Sequence, residues 1–194
     1  ANCEYADGSP VAPPFRVLER GRVRIAVSGL AAPAAGDGLR VADPALALAR
    51  HLPSIAGKSD ARILLADLSP EEAGGIARKY PEIDLILLAG TGEPSRELRR
   101  VNRTSIAVLS GHGKIVARTS FVVGARGRAD GGERHELVPL GPEIGADPNA
   151  AGIVRSFKDT IRSMRLAIDV PLPRATGARY AGARACEPCH ARAY

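Results

Sequence analysis

Two short runs of apolar residues constrain most strongly how this chain can fold. They cover residues 62–68 and 83–89. Strands of this length, with apolar side chains at nearly every position, are typical of a parallel sheet that is buried on both faces, because neither side of the strand meets water. A segment with a helix-start signature lies between the runs. The order strand, helix, strand predicts an α/β fold.

Three helix starts share one signature, an Asp or Ser followed by Pro. They are Asp43-Pro44, Ser69-Pro70 and Asp147-Pro148. The Asp or Ser side chain accepts hydrogen bonds from the free amides of the first turn, and Pro fits the first helical position, where no N–H is needed. The predicted helices cover residues 43–51, 69–80 and 147 to between 164 and 168. In the last of them, apolar side chains at i, i+4, i+8 and i+11 predict a buried stripe, formed by Ile153, Phe157, Ile161 and Met164.

Further strands are predicted outside the two apolar runs. Residues 23–30 alternate between aliphatic and other side chains, which indicates a strand with one buried face. The remaining predicted strands are residues 15–19, 105–109, 114–123 and 133–140. We expect residues 105–109 and 114–123 to form an antiparallel pair, because only a short Gly-containing segment separates them.

The most specific chemical motif is Cys186-x-x-Cys189-His190, which is the attachment pattern of c-type haem. Each thiol can add to one haem vinyl group, and the adjacent imidazole can then occupy an axial position on the iron. This interpretation assigns Cys186 and Cys189 as the covalent anchors of haem c and His190 as its axial iron ligand. The distal ligand stays open: His112 or His135 could serve, although single histidines are commonly ordinary surface residues.

Other chemistries use the same pair of cysteines. A redox Cys-x-x-Cys usually stands at a helix start in a thioredoxin-like setting, whereas this pair follows a segment rich in Pro, Arg and Gly. A structural zinc site needs four ligands, and the remaining candidates are scattered singly: Cys3, His51, His112 and His135. Both alternatives stay open. A third alternative is a binding module whose motif carries no haem. Haem c is attached outside the cytoplasm, so protein made inside a cytoplasm would not receive it.

Composition and charge narrow the function classes. The net charge is +6, from 27 basic and 21 acidic residues. The arginines are dispersed and are not interleaved with aromatic residues, so nucleic-acid binding is not indicated. The longest apolar runs are much shorter than the roughly 18 residues of a membrane-spanning helix, so no span is predicted. Four residues follow His190, too few to cover a haem, so we expect the preceding domain or further chain to provide the cover.

Several phrases of residues 1–165 resemble, in order and spacing, the later half of the metallophosphoesterase domain of 5'-nucleotidases. The phrases are Ala1-Asn2, Pro14-Phe15, residues 22–30, Asp43-Pro44, residues 63–68, 83–90, 111–114 and 137–140, and Asp147-Pro148. The resemblance implies a partial αβ sandwich, with a mixed sheet and flanking helices, over residues 1–168. A Pro/Gly/Arg linker at 169–182 and an extended haem-attachment segment at 183–194 would follow it.

This sequence departs from the resembled family at the metal site. In that family, histidines at one strand end and in a following loop bind two metal ions that activate water. The matching positions here carry Ala66, Thr91 and Glu93. The amino-terminal half with the family's metal-binding aspartates has no counterpart in these residues. We therefore expect a non-catalytic scaffold, with a metal-dependent phosphoesterase of the 5'-nucleotidase type as the alternative.

The last fifteen residues, 180–194, resemble the first haem segment of multihaem c-type cytochromes of the tetrahaem, nitrifier-type family. The two resemblances together imply a periplasmic or extracellular electron-transfer protein. Its α/β domain would be a docking or structural module. The expected partners are redox proteins or further haem domains of the same parent chain.

Overall fold

The computed structural model describes residues 2–32, 38–90, 93–110, 113–124, 127–128 and 132–164. Its helices are α1 (Pro44–Ala56), α2 (Pro70–Lys79) and α3 (Pro148–Ser163). Its strands are β1 (Cys3–Tyr5), β2 (Arg16–Arg20), β3 (Val23–Ala31), β4 (Leu39–Val41), β5 (Ala61–Asp67), β6 (Leu85–Ala89), β7 (Arg99–Val101), β8 (Thr104–Leu109), β9 (Ile115–Ser120), β10 (Val123–Gly124), β11 (Gly127–Arg128) and β12 (Arg134–Pro139).

Six strands form a mixed sheet in the order β2-β3-β5-β6-β8-β7. The four central strands are parallel, and the two edge strands, β2 and β7, pair antiparallel to their neighbours. Helix α1 connects β3 to β5, and α2 connects β5 to β6. The predicted α/β class, a mixed sheet with flanking helices, is therefore confirmed.

The hydrophobic core lies between one face of this sheet and the helices α1 and α2. The sheet contributes Leu64, Ile86, Leu88 and Ile106, each at most 2% exposed. The helices contribute mainly Leu48, Leu52 and Ile55 from α1 and Ala73, Ile76 and Ala77 from α2. The Tyr80 hydroxyl donates to the Ala45 carbonyl over 2.7 Å, which joins the end of α2 to the start of α1.

The three predicted helix starts are confirmed in detail. Asp43 accepts from the Leu46 amide over 2.8 Å, and Asp147 accepts from the Ala150 amide over 2.9 Å. Ser69 forms a reciprocal capping box with Glu72. These hydrogen bonds satisfy amides that have no partner inside the helix, so each cap fixes where its helix begins. Helix α1 continues five residues beyond the predicted end, because Leu52 and Ile55 pack into the core.

One predicted strand pairing is wrong. The strand β8 does not pair with β9; it pairs parallel with β6 and antiparallel with β7, while β9 pairs antiparallel with β12. A tight turn at Asn102, which has a φ of 53°, makes the β7–β8 hairpin. Thr104 to Ala107 are fully buried, so β8 belongs to the sheet interior. Four short strands, β1, β4, β7 and β11, were not predicted, and β10 includes only the last residue of a predicted strand.

The predicted burial of the last helix is also wrong. Within the described residues of α3 no side chain is buried, and Ile153, Phe157 and Met164 are 72%, 64% and 57% exposed. Helix α3 belongs to a second unit of the chain, which begins at Gly145. The periodic pattern thus correctly predicted an amphipathic helix but not its environment. The predicted domain (1–168), linker (169–182) and haem-attachment segment (183–194) remain predictions.

Asp60, just before β5, holds the amino ends of β3 and β5 together. Its carboxylate accepts from the Arg24 backbone amide over 2.8 Å and from the Arg24 guanidinium over 3.0 Å. The Asp60 amide in turn donates to the Arg24 carbonyl over 2.8 Å. The Arg24 side chain and backbone amide, as hydrogen-bond donors to the ionised form, hold the pKa of Asp60 below its ordinary value of 3.8.

We predict that Asp60→Asn lowers the melting temperature at neutral pH. A lowered folded-state pKa adds stability above the ordinary pKa of 3.8, and this contribution is lost as the pH falls through the folded value. The difference in melting temperature between wild type and variant should therefore be largest at neutral pH and become smaller below pH 3.8. Thermal melts across this range test it, with Asp67→Asn at the exposed end of the same strand as control. An unchanged difference at all pH values would contradict the prediction.

Candidate functional site

The carboxyl ends of four parallel strands meet at one edge of the sheet. Ala31 of β3 pairs with Asp67 of β5, Ala66 with Leu88 of β6, and Ala89 with Leu109 of β8. In open α/β sheets, ligands bind in the crevice beyond this edge. We therefore take the edge, with the loop that follows β6, as the candidate functional site. Thr91 of that loop lies outside the described residues.

Close backbone contacts hold this loop against β8. The Gly90 amide donates to the Leu109 carbonyl over 3.0 Å. Ser95 both donates from its amide to the Val108 carbonyl and accepts at its hydroxyl from the Val108 amide. A Cβ atom on Gly90 would lie 2.6 Å from Val108 Cγ1, so a larger residue here would force the Val108 side chain to move. Gly90 and Ser95 are thus both held against β8.

His135 joins the β9–β12 hairpin to the same loop. Its Nε2 lies 2.9 Å from the Ser95 carbonyl and its Nδ1 lies 2.7 Å from the Thr119 hydroxyl. The carbonyl can only accept, so Nε2 carries a proton and donates to it, and Nδ1 shares a hydrogen bond with the Thr119 hydroxyl. Both nitrogens are therefore engaged, and binding iron would require His135 to give up a hydrogen bond. The other distal candidate, His112, lies outside the described residues.

Asn2 lies at the end of β3, at one end of the candidate site. Its side chain is buried, and its amide donates to the carbonyls of Ala31 and Ala42 over 2.7 and 2.9 Å. Its side-chain oxygen accepts from the Ala31 amide over 2.9 Å. Asn2 therefore fixes the segment that contains β1 and β4 to the sheet edge. This role could not be predicted from the sequence, because a lone Asn beside a turn carries no signal of such distant partners.

The described residues at this edge do not fit a two-metal site. Ala66, at a position where the resembled family has a ligand, has a methyl group and is 4% exposed. The carboxylates nearby in the chain, Asp67 and Glu93, are exposed. Within the described part of the chain, no three His, Cys, Asp or Glu side chains come together as a metal site requires.

Of the other predicted site residues, only Cys3 and His51 lie within the described parts of the chain. The motif residues Cys186, Cys189 and His190 lie outside the described residues. Cys3 of β1 is a half-buried free thiol, 3.9 Å from the Asn2 side-chain oxygen. His51 is half-buried on α1, where burial, and secondarily the nearby Arg50 charge, lowers its pKa.

No helix in the described parts of the chain is long and apolar enough to cross a membrane.

Solved structures with the same fold include a sulfate thiohydrolase, a phosphoesterase and nucleotidases. The sulfate thiohydrolase SoxB of Thermus thermophilus, solved with glycerol, matches with a TM-score of 0.72 and 23% identity, over 88% of this chain and 32% of that one. The calcineurin-like phosphoesterase YfkN of Bacillus subtilis matches with a TM-score of 0.63 and 14% identity, over 85% of this chain and 63% of that one.

A putative 5'-nucleotidase of Staphylococcus aureus matches with a TM-score of 0.61 and 14% identity, over 82% of this chain and 36% of that one. No family model and no curated protein matches the sequence. These likenesses establish the fold, which is that of the calcineurin-like metallophosphoesterases and 5'-nucleotidases. The chain spans about a third of the length of SoxB.

We predict that Asn2→Ala destabilises the protein by about 1–3 kcal/mol, because it removes the three hydrogen bonds of a buried side chain to the backbone of Ala31 and Ala42. Urea unfolding followed by circular dichroism tests this. The neighbouring variant Cys3→Ala is the matched control, since Cys3 makes only a weak thiol contact. Equal stability of the two variants would show that Asn2 does not fasten this edge.

Proposed function

We propose that this chain is part of an electron-transfer c-type cytochrome in which the phosphoesterase-like domain is a non-catalytic scaffold. The observation that carries the proposal is the motif Cys186-x-x-Cys189-His190. In this reading Cys186 and Cys189 bind haem c through thioether bonds and His190 is an axial iron ligand.

The sheet edge supports the scaffold part of the proposal. The fold brings the strand ends together as a ligand site requires, but Ala66 stands where a metal ligand is expected and Glu93 stands alone in its loop segment. A fold acts as an enzyme only through the residues of its site. Retention of the fold without such residues favours a structural or docking role.

The proposal has consequences for location and partners. Haem c is attached outside the cytoplasm, so the protein would be periplasmic or extracellular. Its partners would be redox proteins or further haem domains of the same parent chain. The net charge of +6 would favour a partner with an acidic docking surface.

We predict that the protein made in a host with cytochrome c maturation carries covalent haem, measured by the pyridine haemochrome spectrum. The double variant Cys186→Ala/Cys189→Ala should carry none, because no thiol remains at the motif to form a thioether. The variant Cys3→Ala is the matched control and should keep the full haem content. Wild-type protein without haem under these conditions would overturn the proposal.

The second candidate function is metal-dependent phosphoester hydrolysis, which the fold favours. We predict that hydrolysis of para-nitrophenyl phosphate and of AMP with added Mn²⁺ stays at the rate without protein, because the described edge lacks a metal-binding donor set. The double variant Cys186→Ala/Cys189→Ala should be assayed in parallel, because it cannot bind metal through the two thiols of the motif. Turnover that requires Mn²⁺ and is abolished by EDTA would establish the hydrolase and contradict the scaffold.

A further inference from the structure

The apolar side of helix α3 is uncovered in the described part of the chain. Ile153, Phe157 and Met164 are 72%, 64% and 57% exposed, and Ile161 is 37% exposed. Their spacing of three or four residues places all four on one side of the helix. We name this surface the α3 stripe; it comprises Ile153, Phe157, Ile161 and Met164. A contiguous apolar surface of this kind marks a binding surface.

The stability of the helix also depends on what covers this surface. Helix α3 has 16 residues, and isolated helices shorter than about 12–15 residues are marginal in water, because most helical stability in proteins comes from packing of an apolar side. Local stabilisation of α3 comes from the Asp147 cap and from the exposed ion pair of Asp159 with Arg162. A cap contributes about 0.5–2 kcal/mol, and an exposed ion pair contributes less. We therefore expect an occupant on the α3 stripe.

Basic side chains border the α3 stripe. Lys158 follows Phe157 in the chain and Arg162 follows Ile161, so both lie along the same edge of the stripe. Arg162 pairs with Asp159 over 2.8 Å, but these side chains are 76% and 69% exposed, so Arg162 stays accessible to another acidic group. An occupant that is apolar in its body and acidic at its edge is complementary to this surface.

The haem motif belongs to the same unit of the chain as α3. This unit runs from Gly145 to Tyr194, and residues 165–185 connect the helix to the motif Cys186-x-x-Cys189-His190. A connection of about 21 residues can span far more than the α3 stripe, which covers about 16 Å along the helix axis. The connection is therefore long enough for the motif to reach any part of the stripe.

Haem c is complementary in chemistry to the α3 stripe. Its macrocycle is a flat apolar surface, and its two propionate groups are carboxylates at one edge. A protein sets the potential of a haem partly by excluding water from the ring. The residues present fit this group, because the four apolar side chains can cover part of the ring while Lys158 and Arg162 lie beside the carboxylates.

We propose that the α3 stripe packs against the haem attached to Cys186 and Cys189, with Lys158 and Arg162 at the propionate edge. This inference rests on the proposed function and adds to it the surface that shields the haem from water. A second copy of the chain or a lipid surface could also cover an amphipathic helix. Cover by either of these would not depend on the cysteines of the motif.

Carbene footprinting tests the inference on the 194-residue chain made in a host with cytochrome c maturation. A photolysed diazirine should label Ile153 and Phe157 several-fold less in the haem-loaded chain than in the double variant Cys186→Ala/Cys189→Ala. Leu46 on α1, which is 69% exposed, is the internal control, and its labelling corrects for light that the haem absorbs. Equal labelling of Phe157 in both forms would overturn the inference, whether the stripe is then open or covered by a second copy or a lipid.

Two glutamate variants provide an independent measurement. Phe157→Glu should keep the full haem content, because both thiols of the motif remain. It should lower the reduction potential of the haem, because it admits water and places a carboxylate beside the ring. The matched control Ser156→Glu adds the same charge outside the stripe and should leave the potential unchanged. Equal potentials of the two variants in a spectroscopic redox titration would contradict the inference.

The haem content separates failure of this inference from failure of the proposed function. A wild-type chain without haem in the pyridine haemochrome spectrum would overturn the proposed function and this inference with it. A haem-loaded chain with equal labelling of Phe157, or with equal potentials of the two variants, would overturn this inference alone.

Discussion

Burial of one side of the parallel strands under α1 and α2 is the interaction on which the rest of this structure depends. Leu64, Ile86, Leu88 and Ile106 form a row across three strands, and none of them is more than 2% exposed. A fully buried aliphatic side chain contributes about 1.5–3 kcal/mol relative to an exposed one. The strand register that places these side chains next to each other also aligns the carboxyl ends of the strands. The position of the candidate site therefore follows from this packing.

The sequence predicted well those features whose partners are near in the chain. Each Asp-Pro or Ser-Pro signal caps amides within three residues of itself, so the helix starts at Asp43, Ser69 and Asp147 could be predicted correctly. The partner of β8 could not, because its pairing with β6 depends on burial of Thr104 to Ala107 rather than on the short connection to β9. The α3 stripe shows the same limit, since periodicity reports an apolar side and not what covers it.

The candidate site was predictable in position but not in construction. The carboxyl ends of the apolar strands meet at one edge, as in other α/β sheets. His135 holds the chain after β6 through the Ser95 carbonyl, and Asn2 holds the β1–β4 segment at the end of β3. Their backbone partners are 40 and 29 residues away. Such roles require the tertiary structure, because any Asn or His at these positions would look the same in sequence. Asn2 and His135 therefore have structural roles at this edge.

The two sides of β5 differ in burial although both are apolar. Ala66 points to the helix side, where its methyl group packs among Leu64, Leu88 and their neighbours without leaving a polar atom unpaired. On the opposite side of the strand, Leu65 is 46% exposed. A run of apolar residues shows that both sides of a strand are apolar but not what covers each side. The sequence therefore predicted burial on both sides, and only the tertiary structure shows the difference.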